Sequence, residues 1–124
     1  MSSDTVEKTR KYYEHLSQED LCDCKECRNY RKKIKQAFPE LSVYLSSLGV
    51  DIEKPFESWS VELEDHKILY PDVQYIVFGD EKDFKPCKIS GSDIHIAQSH
   101  PMTLIEEPHY VIEVSEICLD DRDA

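Results

Sequence analysis

The chain has 124 residues, 40% of them hydrophobic and 33% charged. That composition supplies one modest core and suits a single domain, residues 1–124, and it excludes a disordered chain because the apolar positions are periodic. No apolar run approaches the roughly 20 residues that span a bilayer, and the polar start Met1-Ser2-Ser3-Asp4 leads into no signal-like segment. No membrane association and a cytoplasmic location are therefore expected.

The net charge of -11 is unevenly placed. Residues 1–38 hold nine Lys/Arg and seven Asp/Glu, whereas residues 39–124 hold six and nineteen. The acidic second part opposes nucleic-acid binding, which needs cations to displace counterions. It suits a soluble protein, and one that meets a basic protein partner.

In chain order, the first helix follows from Val6, Thr9, Tyr13 and Leu16 at helical spacing. Asp4 is its expected cap, paired with Glu7, and it should end near Ser17–Asp20. A second helix is predicted from about Lys25, burying Cys27, Tyr30, Ile34, Ala37 and Phe38. Arg28, Arg31, Lys32 and Lys35 share another face, which reads as a solvated face pairing with the acidic part rather than as a phosphate site. Pro39 forces a break and then suits the first turn of a third helix, Glu40 to Leu48. Gly49 is the expected C-terminal cap.

Beyond the connector around Pro55 the period changes to two. Val61 and Leu63, Ile68 and Tyr70, Val73–Phe78, Cys87 and Ile89, Ile94 and Ile96, and His109–Val114 read as strands, with a hairpin turn at Ser90-Gly91-Ser92-Asp93. Trp59 reads as a core anchor between connector and sheet. The order implies an α+β fold, with about three N-terminal helices packed beside an antiparallel sheet of five or six strands. The two-proline stretch Ser99–Pro108 is a long connection of the kind that carries function.

The chemistry-bearing feature is Cys22-Asp23-Cys24-Lys25-Glu26-Cys27. Crowded thiolates need a metal ion or a disulfide to share them. Cys24 and Cys27 have the spacing that lets one backbone turn give zinc two ligands, and Cys22 can add a third. His15 is the nearest candidate for the fourth position of a structural zinc. A redox pair at Cys24 and Cys27 lacks its usual preceding strand. The plainer alternative makes all three cysteines small buried residues between helices.

Two further functions stand beside a zinc module. One is a non-enzymatic protein, of immunity or inhibitor type, whose acidic half binds a basic partner. The other is a small enzyme pairing Cys87 or Cys118 with His100 or His109. No glycine-rich phosphate loop, His-x-x-x-His pair or serine-hydrolase elbow is present.

Overall fold

The computed structural model describes residues 3–121. Three helices come first: α1 (Ser3–His15), α2 (Lys25–Ala37) and α3 (Pro39–Ser47), with one 3-10 turn at Gln18–Asp20. Thr9 and Tyr13 of the α1 stripe are buried, and Val6 and Leu16 half-buried. Asp4 lies inside the first turn of α1 and not ahead of it, so it is not the cap expected from the sequence. The helix also stops earlier than Ser17–Asp20. Its last carbonyls are taken by Lys54, whose Nζ donates to Tyr13 O at 2.7 Å and Leu16 O at 3.0 Å, as a cation at a helix C-terminus should.

Helix α2 buries Tyr30 and Ile34 as its period requires, but Ala37 is exposed and Asn29 is buried instead. Asn29 Nδ2 donates to the Asp120 carbonyl at 3.2 Å, which ties the helix to the far end of the sheet. Phe38 leaves helical geometry, at φ -131 and ψ 65, because the ring of Pro39 crowds it. Helix α3 ends in a Schellman motif: Val50 N–H donates to Leu45 O at 3.0 Å and Gly49 N–H to Ser46 O at 2.9 Å.

The strands are β1 (Glu57–Ser58), β2 (Val61–Leu63), β3 (Lys67–Phe78), β4 (Cys87–Ile89), β5 (Ser92–Ile96) and β6 (His109–Asp120). They form one antiparallel six-stranded sheet in the order β1-β3-β6-β5-β4, with β2 also on β3. The architecture is thus α+β, three helices followed by a sheet. Ile68–Tyr70 and Val73–Phe78 belong to one strand, and the last strand runs on to Asp120. The β4–β5 hairpin turns on Ser90 and Gly91, both at positive φ (53 and 84), the geometry that fits strand twist. No helix among the described residues is long and apolar enough to cross a membrane.

The two long strands change faces together. Ile68, Tyr70, Val73, Tyr75 and Val77 all join one core cluster, so the two-residue alternation of β3 slips at Pro71–Asp72. Strand β6 slips at Ser115–Glu116, since Tyr110, Ile112, Val114, Ile117 and Leu119 join the same cluster. Pairing skips Pro71 and Glu116 and keeps its register on either side: Tyr70 faces Ile117 and Asp72 faces Ser115. Pro71 has no N–H to lose, and Glu116 takes φ 55.

Tyrosine hydroxyls bolt the helices to this sheet. Strand β1 covers only Val73 and Gln74 of β3. Further along, the hydroxyl of Tyr13 accepts from Ile76 N–H at 2.9 Å and donates to Ile76 O at 2.8 Å, and Thr9 Oγ1 accepts from Phe78 N–H at 3.0 Å. Helix α1 therefore does with side chains what a neighbouring strand would do with backbone. Tyr13→Phe removes only the hydroxyl and leaves two buried backbone groups without partners. The expected cost is about 2–4 kcal/mol, measured by urea unfolding. A cost below about 0.5 kcal/mol would show that this bridge contributes no net stability.

Trp59 is not the core anchor that its sequence context suggests. It is 46% exposed, while Phe56 packs on Ile76, Phe78, Ala97 and Val111 on the opposite face of the sheet. Val61 and Leu63 form the expected strand but stay exposed, because β2 lies on an edge.

Candidate metal centre

Helix α2 builds the site. Its N-cap is Cys24, in extended geometry (φ -70, ψ 164), and the Cys24 sulfur accepts the Cys27 N–H at 3.4 Å. A sulfur here replaces the usual hydroxyl or carboxylate cap. The backbone ahead of the cap is folded back by Arg31, whose Nη1 donates to Cys22 O at 2.6 Å while Nη2 lies 3.7 Å from Asp23 Oδ1. That places Cys22 Sγ 3.3 Å from Cys24 Sγ.

The three sulfurs of Cys22, Cys24 and Cys27 all lie within 4.8 Å of one another. Around a tetrahedral zinc with bonds of about 2.3 Å, sulfurs lie about 3.8 Å apart, so small side-chain movements suffice. All three are free thiols, with Cys22 and Cys24 exposed and Cys27 half-buried. The reading of the three as buried packing residues is therefore not what the structure shows. A backbone hydrogen bond from Cys24, then the Cys24 thiol, hold the Cys22 thiol below its ordinary range. Burial, then the Cys24 and Cys22 sulfurs, push Cys27 up to about 12. The Cys22 thiol thus gives up its proton more readily than the Cys27 thiol.

No His, Asp or Glu joins this group among the described residues. His15 is exposed, and its Nδ1 lies 2.6 Å from Lys11 O at the end of α1. On the sheet side, Ser58 Oγ lies 3.8 Å from the Cys27 sulfur. The cluster is thus a three-thiol cradle, open to solvent at Cys22 and Cys24.

The remaining cysteines and histidines are elsewhere. Cys87 is half-buried, and Cys118 is exposed in a cleft with Lys32 and Lys33. His100 Nδ1 lies 2.7 Å from Pro101 O, and His109 engages Thr103 Oγ1 and Glu107 O, each at 2.7 Å. Neither ring hydrogen-bonds a cysteine among the described residues. His95 falls opposite Glu113 on β6, with Nε2 and Oε2 3.6 Å apart.

Of the predicted basic face, Lys35 lies 3.6 Å from Glu53, later in the chain, whereas Arg31 lies 3.7 Å from Asp23, ahead of the helix; Lys25 and Lys33, outside that face, lie 3.9 Å from Glu62 and Asp120. Compared with family models, curated proteins and solved structures, the chain matches none.

Proposed function

We propose that this is a metal-binding protein in which Cys22, Cys24 and Cys27 hold one zinc ion at the N-terminus of α2. The observation that carries the reading is the mutual approach of the three sulfurs to within 4.8 Å on exposed backbone. Thiolates select thiophilic ions, and zinc accepts a tetrahedral set of three sulfurs and one further donor. The fourth position falls to water or to a donor brought by a partner. Zinc would tie the loop before α2 to the helix, and binding would add to folding stability.

Metal content of untagged protein purified under reducing conditions tests this. About one zinc per chain is expected, and free zinc at about 100 times its Kd should add about 2.7 kcal/mol of stability, roughly 10 °C in Tm for a chain of this size. Cys24→Ser should abolish both, and Cys118→Ser neither. Absence of bound zinc, together with a Tm indifferent to zinc and to chelator, would sink the proposal.

A second reading is supported by the charge layout. Residues 39–124 hold nineteen Asp/Glu against six Lys/Arg, a surface that steers basic proteins toward it. In this reading the chain is a non-enzymatic binding protein for a basic partner.

A further inference from the structure

The sheet face opposite the main core carries a second constellation, far from the cysteines in sequence. Strand register lines up Glu57, Gln74, Glu113 and His95 as one row across β1, β3, β6 and β5. Asp72, two residues before Gln74, lies on the same face. Above the row is a cleft of about 480 Å³ lined by Trp59, Asp72, Gln74, His95, Ser99 and Glu113, among others. The chain's single tryptophan stands at this cleft with nearly half its surface exposed.

Gln74 supplies the observation that points to a ligand. It is fully buried, and its Nε2 donates to Ser99 O at 2.9 Å and to Glu113 Oε1 at 3.0 Å. A backbone carbonyl and a carboxylate only accept, so they fix which end of the amide is which. Gln74 is one of the residues that line the cleft, and its buried Oε1 is left with no partner among the described residues. A buried acceptor without a donor is costly to the fold, and a donor reaching it from the cleft would recover that cost.

Two of the neighbouring groups, Asp72 and Glu113, are acceptors too. Asp72 and Glu113 sit close enough that burial and the Glu113 carboxylate raise the Asp72 carboxyl above its ordinary value. Two carboxylates here face one histidine, His95, whose Nε2 lies 3.6 Å from Glu113 Oε2. A primary ammonium has three donors, no acceptor and a full charge. Its methylene stem suits an indole face, and the cation itself is attracted to that face. A metal ion fits less well, because the histidine and carboxylate atoms here are not gathered as the cysteine sulfurs are.

We propose that this cleft binds an alkylammonium group, presented as a lysine side chain by a basic protein or carried by a free aliphatic polyamine, with Gln74 Oε1, Asp72 and Glu113 as its acceptors and Trp59 against its stem. The site is independent of the zinc reading and gives the basic-partner reading a specific pocket. Its failure would leave charge-driven capture by the wider acidic surface intact, which the salt dependence of partner capture measures separately.

Trp59 is the only indole, so its fluorescence reports this cleft alone. The full chain is titrated with n-butylammonium, with 1-butanol as the uncharged match, and with spermidine and a pentalysine peptide at constant ionic strength. A saturable change with n-butylammonium and none with 1-butanol is expected. Glu113→Gln, which keeps the acceptor for Gln74, and Asp72→Asn should each weaken binding by about tenfold. Tighter binding of pentalysine than of spermidine assigns the site to a protein lysine, and the reverse order to a free polyamine. Equal response to 1-butanol, no saturable response to any amine, or unchanged affinity in both folded variants overturns the proposal. If neither variant folds, the comparison of n-butylammonium with 1-butanol on the native chain still decides.

Discussion

Gly49→Ala is expected to cost about 2–5 kcal/mol, from about 1–2 of left-handed backbone strain and about 1–3 of overpacking. Gly49 takes φ 88 to close the Schellman motif, and a Cβ there would meet Val6 O at 2.4 Å, with Arg10 N and Thr9 Cβ at 3.0 Å. Two of those three atoms are backbone of α1, which cannot rotate away. Helices α1 and α3 therefore cross at a point where only hydrogen fits. Gly91 provides the internal control, at φ 84 with nothing within 4 Å of an added Cβ. Gly91→Ala should show the strain alone, about 1–2 kcal/mol. Urea unfolding of both variants separates the two contributions. Equal costs would mean that α1 does not press against Gly49.

Alkaline pH should unfold the protein over a narrow range. All seven tyrosines have pKa values raised above the ordinary 10, chiefly by burial. Tyr30, Tyr70 and Tyr75 are fully buried and Tyr13 nearly so, with Tyr30 and Tyr75 hydroxyls 2.5 Å apart and Tyr75 donating to Ile52 O at 2.7 Å. A group that holds its proton longer in the folded state than in the unfolded one leaves stability unchanged below the unfolded pKa. Above about pH 10 the unfolded chain releases these protons and the folded chain does not, so stability falls with pH until the folded pKa is passed. Each such group removes up to about 1.4 kcal/mol per pH unit over that range, so several acting together approach the whole stability of a domain. Tyrosinate absorbance should thus stay low at pH 10 and rise together with loss of circular dichroism. Ionisation of most tyrosines near pH 10 in a still-folded chain would refute the burial argument.

The helical half was legible because its signals are local. The stripe Thr9–Tyr13, the break at Phe38–Pro39 and the cap at Gly49 each lie within one or two turns, and each is present in the structure. The Ser90-Gly91 turn was legible for the same reason, and so was the cysteine cluster, whose members span six residues. The ammonium cleft was not. Gln74, His95 and Glu113 are brought side by side only by register across three strands, and strand order leaves no local mark in the sequence. The face slip at Pro71 and Glu116 defeats a simple period-two count, which would place Asp72 with Tyr70. Trp59 was misread because size and apolarity alone favour burial, whereas its place beside an acid-lined cleft depends on partners from β3, β5 and β6.

The contact of α1 with β3 also bears on how this protein could go wrong. Ile76-Val77-Phe78 is an apolar, strand-forming stretch whose edge amides are held at Ile76 and Phe78 by the hydroxyls of Tyr13 and Thr9. A hydroxyl satisfies an edge amide but offers no second strand to propagate from. Peeling α1 away would turn this guarded edge into a template for a neighbouring chain, the starting point of ordered aggregation. The first helix thus acts as the safeguard of the sheet, and partial unfolding that begins at the N-terminus is the route by which this chain would lose solubility.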